Sequence, residues 1–310
     1  MPRISIVTPT LNQATTLRET IESVLRQDYP DLEYWVFDGG STDGTQAILQ
    51  EYERDPRFHW SSEPDRGQSD AVNKGLARAT GEVFNWINSD DYLAPGALRK
   101  VARAFEENPR VEIVSGLTGE FRDRHPEVCN YIRLQIRSSP EETITVGVFC
   151  QPSTFWRTDI FRALGGLETS LHFTMDWHLW VKYLARYGQD KVLLLPDPLA
   201  HFRHHAEAKT SKDSEKFYRD VERVYHDLNT AVQAPPEFLD DQLRSTSPLS
   251  FVLSPEFDRE LYLGRYAERR VRVYRKKDLT QARKWIHRAF HYKPGVTWWR
   301  MKMALRLAWK

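Results

Sequence analysis

Two adjacent carboxylates, Asp90 and Asp91, end the stretch Trp86-Ile87-Asn88-Ser89-Asp90-Asp91, directly after the apolar run Val83 to Ile87. Side chains at the carboxyl end of a strand in an open parallel sheet converge on a crevice instead of packing under helices. Paired carboxylates leaving a core strand repel each other and lose hydration, and a counter-cation relieves both penalties. The pattern predicts a site for a metal ion and a diphosphate. Two other segments carry candidate groups. Asp176, in Phe173-Thr174-Met175-Asp176-Trp177-His178, stands just before an apolar helical run, where N-capping alone accounts for an acid. Arg203, His205 and Lys209 cluster between Phe202 and Ser211 and could neutralise a phosphate leaving group, the alternative being an ordinary solvated basic surface.

The glycine pattern narrows the ligand. Thr8-Pro9-Thr10-Leu11-Asn12 follows the first strand without a G-x-G-x-x-G or a P-loop, so no dinucleotide fingerprint is present. Thr8, Thr10 and Asn12, with Asp38 from the end of the next strand, form a polar rim able to hydrogen-bond a base and a ribose. Asp43, inside Asp38-Gly39-Gly40-Ser41-Thr42-Asp43-Gly44, reads as a helix cap, whereas Asp38 at a strand terminus reads as a ligand contact.

These groups must be held by alternating strands and helices. Strands are predicted over Ile4 to Thr8, Leu32 to Asp38, Phe58 to Ser61, Val83 to Ile87, Val111 to Gly116 and Lys191 to Leu195. Helices are predicted over Thr15 to Gln27, Thr45 to Tyr52, Gln68 to Ala79, Ala97 to Glu107, Trp177 to Tyr187 and Ser214 to Leu228. The region between Gly116 and Phe155 reads as mixed. Four strands separated by helices within about ninety residues imply an α/β fold with a mostly parallel central sheet.

Composition sets the limits. The 310 residues suffice for one large α/β domain plus an appendage, and no run approaches the roughly 18 apolar residues of a membrane span. Met1 to Val7 leads straight into a strand and lacks the features of a secretion signal, and two cysteines, Cys129 and Cys150, suit a reducing cytoplasm. The formal net charge of +1 hides an asymmetry: Leu261 to Lys310 holds fifteen Lys or Arg against Glu268 and Asp278, a net +13, which leaves −12 for the rest.

Four ordered segments, Ser5 to Asn12, Asp38 to Thr45, Glu63-Pro64-Asp65-Arg66-Gly67-Gln68-Ser69-Asp70-Ala71-Val72-Asn73-Lys74-Gly75 and Asn88 to Asp91, resemble the family 2 glycosyltransferases of the GT-A (Rossmann-like) fold over roughly residues 1 to 210. The resemblance implies a nucleotide-sugar donor, with uridine diphosphate the default, a divalent cation (Mg²⁺ or Mn²⁺), and transfer with inversion to a hydroxyl of a surface polysaccharide or a lipid-linked glycan. It implies a donor side made of Thr8, Pro9, Thr10, Asn12, Asp38, Gly67, Asp70, Lys74, Asn88, Ser89 and Asp90. Asp90 and His205 would hold the metal. Asp176 would be the general base, and Asp91, Gln151, Trp177, Arg203 and Lys209 would lie on the acceptor and diphosphate side. The sequence departs from the family's D-x-D motif at Asn88, whose amide can accept from a hydroxyl or offer a carbonyl to a cation but brings no charge. That departure keeps a second function class in view, a non-catalytic nucleotide-sugar binder of the same fold. A nucleotidyltransferase is disfavoured, since its glycine-rich basic phosphate loop is missing.

The expected organisation is a catalytic domain over residues 1–228, a Pro- and Ser-rich linker over 229–256 and a basic helical extension over 257–310. Tyr274 to Pro294 resembles one helix of a tetratricopeptide-like hairpin, and Trp298 to Lys310 mixes aromatics with cations as interfacial helices do. Two readings of this tail stand equal: a peripheral contact with an anionic membrane, at the inner face of the cell membrane, or a basic helix docked on the acidic body. Nucleic acid is not an expected partner, since no binding motif accompanies the charge.

Overall fold

Ile4 to Thr10 is buried along its whole length, as expected for a strand covered on both faces of a parallel sheet. In the computed structural model, which describes residues 1–122, 125–205, 213–243, 247–292 and Met303, this strand is β1 of a nine-stranded sheet. The elements run β1 (Ile4–Thr10), α1 (Leu17–Leu25), β2 (Leu32–Asp38), α2 (Thr45–Glu51), β3 (Phe58–Ser62), α3 (Gln68–Arg78), β4 (Val83–Trp86), β5 (Tyr92–Leu93), α4 (Ala97–Glu107), β6 (Ile113–Arg122) and β7 (His125–Arg133). They continue with α5 (Pro140–Val146), β8 (Thr154–Arg157), α6 (Thr158–Ala163), α7 (Met175–Tyr187), β9 (Val192–His204), α8 (Ser214–Ala231), α9 (Arg259–Tyr274) and α10 (Leu279–Tyr292).

The strand order is β3-β2-β1-β4-β8-β6-β9-β5, with β7 paired to β6. The first four strands are mutually parallel, as the α/β alternation predicts. β8 then runs antiparallel between β4 and β6, and β6 is parallel to β9. α1 buries Leu17, Ile21 and Val24 in the core that also holds Ile4, Ile6, Val36, Leu98 and Phe105.

α3 carries Gly75 against β1, and a Cβ there would stand 2.4 Å from Val7 Cγ2 and 2.6 Å from Val7 Cγ1. Alanine gains about 1 kcal/mol over glycine in helix propensity, but forcing it into a filled core costs about 1–3 kcal/mol, so the clash wins. Gly75→Ala is therefore expected to lower the midpoint of denaturant unfolding; an unchanged or raised midpoint contradicts this packing.

β9 is longer than the short strand predicted to end at Leu195. Pro196 and Pro198 suggest a break, yet the chain bulges there: Ser115 pairs with Leu194 and Leu117 with Pro198, after which pairing resumes as far as His204. Arg203 and His204 thus lie in a strand. The region read as mixed resolves into the β6–β7 hairpin, α5 capped by Ser139 with Pro140 in its first turn, and β8.

The chain divides into two compact units, one formed by residues 1–134, 149–179 and 190–221, the other by 135–148, 180–189 and 222–310. The first holds the sheet. In the second, α9 and α10 pack Tyr266 and Trp285 around Phe238, and the Asn229 side chain donates to Phe238 O at 2.9 Å while accepting from Tyr262 Oη at 2.8 Å. Within residues 229–256, Phe238 and Leu249 are buried, and Leu249 N donates to Asp227 Oδ2 at 2.9 Å. The predicted helix around Tyr274 to Pro294 begins only at Leu279: Arg275 to Asp278 form the turn after α9, and Asp278 Oδ1 caps α10 by accepting from Gln281 N. No helix among the described residues is long and apolar enough to cross a membrane. The tail segment Trp298 to Lys310 lies outside the described residues except for Met303.

Candidate active site

The carboxyl ends of β1 and β4 deliver Pro9, Thr10, Trp86, Asn88, Ser89 and Asp90 to one cavity of ≈ 530 Å³ within the sheet-bearing unit. Gly67 and Gln68, at the start of α3, line it from one side. Thr118 and Glu120 on β6, the segment Phe149 to Pro152, and His172 to Asp176 supply the other walls, with Phe202 and His205 at the end of β9. The segment around Gln151 is bolted beneath β4: Gln151 Nε2 donates to Trp86 O at 2.6 Å and Asn85 Nδ2 to Pro152 O at 3.0 Å. Buried polar atoms normally find partners, yet Thr10 Oγ1 and Trp86 Nε1 have none among the described residues. Both belong to residues on this wall.

The acidic turn is built from behind. Asp91 is 1% exposed and accepts from Arg203 N at 3.0 Å and from Asn88 Nδ2 at 3.3 Å. Burial, and then the neighbouring charge of Asp90, pushes its carboxyl well above the usual range. Arg203 Nε donates to Asp90 O at 2.8 Å, its guanidinium pairs with Glu19, and it lies over the Phe121 ring. Arg203 therefore clamps the turn and does not line the cavity. Asp90 does, and its Oδ2 lies 2.9 Å from His205 Nε2. Asn88 Oδ1 accepts from Gln68 Nε2 at 2.7 Å, so its carbonyl is already engaged.

On the opposite wall, α7 begins at Met175, which places Asp176 inside the first turn and not at the cap. Its Oδ1 accepts from Trp177 N at 2.8 Å, and burial pushes its carboxyl upward. The preceding loop is fixed by Asp220, whose Oδ2 accepts from both His172 N and Phe173 N at 3.0 Å. Glu120, a wall residue that sequence reasoning missed, is opposed by burial but held below the usual carboxylate range by His204, at 2.9 Å, and by Asn130. Burial raises the Cys150 thiol to about 12, which rules it out as a nucleophile.

Thr8, Asn12, Asp38, Asp70 and Lys74 lie off this lining and make internal bonds. Thr8 Oγ1 meets Tyr34 Oη at 3.0 Å. Asn12, at φ 52, accepts from Thr42 N. The Asp38 carboxylate accepts from Ser41 N, Ser41 Oγ and Ser62 Oγ. Asp70 pairs with Arg66 and Lys74, and Lys74 also with Glu63 at 2.9 Å. Gly44 is the cap residue of α2, and Asp43, one position before it, accepts from Thr45 N and Ala14 N. Trp177 is half-buried beside Asp176, and Lys209 lies outside the described residues.

Among the described residues no three His, Cys, Asp or Glu side chains cluster as a complete metal cage. Asp90 and His205 nevertheless converge on the cavity as one oxygen and one nitrogen donor. Mg²⁺ or Mn²⁺ is commonly held by one or two carboxylates and completes its shell with substrate phosphate and water, so Asp90 fits such an ion, while His205 would add a nitrogen donor of the kind that transition metals accept.

Comparison with known proteins places this geometry in a family setting. The profile described as "Glycosyl transferase family 2" matches residues 5–165. An uncharacterized glycosyltransferase of Rickettsia typhi is 25% identical over 190 residues, 59% of each chain. The GalNAc(5)-diNAcBac-PP-undecaprenol beta-1,3-glucosyltransferase of Campylobacter jejuni is 32% identical over 131 residues, 39% of this chain and 42% of that one. The chain thus spans about half the length of these curated relatives. Among solved structures, S. aureus TarS 1-349 in complex with UDP aligns with a TM-score of 0.62 at 17% identity, covering 99% of this chain and 86% of that one. The mannosyltransferase PcManGT of Pyrobaculum calidifontis, in complex with GDP-Man and Mn²⁺, aligns with a TM-score of 0.54 at 20% identity, covering 99% and 84%. At these identities the likeness is one of fold, a GT-A sheet with its flanking helices.

Proposed function

The chain belongs to glycosyl transferase family 2, and on that premise we propose that it is an inverting glycosyltransferase, moving a sugar from a uridine-diphosphate donor to a hydroxyl of a glycan or lipid-linked acceptor. One observation carries the reading: Asp90 with His205, and Asp176 on the far wall, open onto the same cavity.

In this account the nucleoside lies toward Pro9 and Thr10 at the end of β1. Thr10 Oγ1 and Trp86 Nε1 gain from the donor the partners they otherwise lack. Asp90 and His205 would hold a divalent cation, which would supply charge neutralisation at the diphosphate, the largest electrostatic demand of the reaction. Asp176 takes the proton of the acceptor hydroxyl. That oxygen bonds to the anomeric carbon from the face opposite the leaving group, the bond from carbon to diphosphate oxygen breaks, and the configuration inverts. The raised carboxyl of Asp176 suits this task, because a base works best when its proton affinity approaches the operating pH. Asn88, held between Gln68 and Asp91, positions the acidic turn without adding charge.

The donor reading has a direct binding test. A ligand at about one hundred times its Kd stabilises the folded state by ~2.7 kcal/mol. UDP or a UDP-sugar with Mn²⁺ is expected to raise the melting temperature more than GDP or the cation alone. Equal shifts from all nucleotides, or none, contradict a uridine-diphosphate site.

A further inference from the structure

Nine of the fifteen cations after residue 260 fall, among the described residues, into two sets. The inward set is neutralised within its own unit: Arg265 pairs with Glu142 at 3.2 Å and Glu268 at 3.0 Å, and Arg269 and Arg270 converge on Glu222. Arg270 also lies over the rings of Tyr274 and Trp285. The outward set is Arg272, Arg275, Lys276 and Lys277 at the end of α9 and its turn, and Arg283 and Lys284 on α10, all exposed. Among the described residues no acid pairs with Arg275, Lys276 or Lys284.

Helical geometry gathers the α10 charges. Ala282, Trp285, Ile286 and Ala289 form its buried face, while Arg283, Lys284, His287 and His291 occupy the opposite arc. Leu279 to Tyr292 contains no acid, and Asp278, the acid of the turn, is spent on capping Gln281 N. Glu142, Glu222 and Glu268 pair with the inward arginines, while Arg275, Lys276 and Lys284 stand exposed on a basic face.

We propose that this face, the α9–α10 turn with the outer arc of α10, docks on an anionic lipid bilayer. A row of exposed Lys and Arg on a helical hairpin, in which Arg275, Lys276 and Lys284 face no acid among the described residues, complements the negative surface potential of such a leaflet. The following sequence, with Trp298, Trp299 and Trp309 interleaved with Arg300, Lys302, Arg306 and Lys310, has the composition of an interfacial segment. The inference rests on the proposed transferase activity only in giving the contact a purpose, the capture of an acceptor that is itself tethered to lipid.

The test uses the full chain. Co-sedimentation with phosphatidylglycerol–phosphatidylcholine vesicles is compared with pure phosphatidylcholine vesicles, for the wild type and for a variant carrying Arg275→Gln, Lys276→Gln, Arg283→Gln and Lys284→Gln. Expected are binding to the anionic vesicles alone, its loss at high salt, and partitioning weakened by about 10²–10³-fold in the variant. Equal binding of the two proteins, or equal binding to both vesicle types, overturns the proposal. Displacement from anionic vesicles by an equal phosphate concentration of duplex oligonucleotide overturns it in favour of nucleic acid. Thermal shifts with UDP and Mn²⁺ on the same preparations read the donor site separately, so each idea fails on its own measurement, and an unchanged melt of the variant without ligand shows that its fold is intact.

Discussion

Asp176→Asn is expected to lower sugar transfer by about 10²–10⁴-fold, the usual worth of a positioned general base, while the folded protein becomes harder to melt. Burial raises the Asp176 carboxyl in the folded state. A group shifted upward lends its full stabilisation below the unfolded pKa and loses it as pH rises through the folded one. At neutral pH the ionised carboxylate is therefore a net liability that an amide of the same shape lacks. The melting temperature of the variant should exceed that of the wild type near neutrality, and the difference should close as the pH is lowered. Wild-type kcat/KM should fall on the acid side as that same carboxyl takes up its proton, at a pH above the ordinary aspartate range. Retained UDP binding by the variant separates a catalytic role from a binding one. A variant that turns over normally removes Asp176 as the base, and one that melts lower assigns it a purely structural part.

Asp90→Ala carries the second large effect. The cation site is expected to lose its only carboxylate, and removing several kcal/mol of charge stabilisation at the leaving diphosphate corresponds to about 10²–10³-fold in kcat/KM. His205→Ala should act in the same direction but more weakly, since it leaves the carboxylate of the pair in place. Titrating activity with Mn²⁺ reads both: the concentration needed for half-maximal rate rises in each variant, while UDP binding measured without metal stays within a factor of two or three of the wild type. An unchanged Mn²⁺ requirement in His205→Ala removes the histidine from the site.

What sequence could read here was local. The period of α1 and α3, the apolar strands β1, β2 and β4, and the acidic turn after β4 all declare themselves within a dozen residues, and they build the parallel half of the sheet. The opposite wall was illegible for a physical reason. Its strands are assembled by pairings such as β4 with β8 and β8 with β6, whose partners are remote in sequence, so Glu120, Phe149 and Ile132 carry no pattern that marks them. The strand predicted to end at Leu195 continues past Pro196 and Pro198, and no sequence rule announces the bulge that absorbs them. Arg203 reads as a phosphate ligand until its partner Glu19, 184 positions away, is brought to it by the fold. Asn88 looked like a weakened metal ligand, whereas its contacts with Gln68 and Asp91 give it a positioning part.

The most direct measurement is a crystal structure with UDP and Mn²⁺ in which the manganese is located by its anomalous signal. The account predicts one peak beside the Asp90 carboxylate and the His205 imidazole, with the nucleotide in the same cavity toward Thr10 and the cavity's Asp176 open to the sugar. Manganese and diphosphate bound away from Asp90, or a nucleotide outside that cavity, would contradict it.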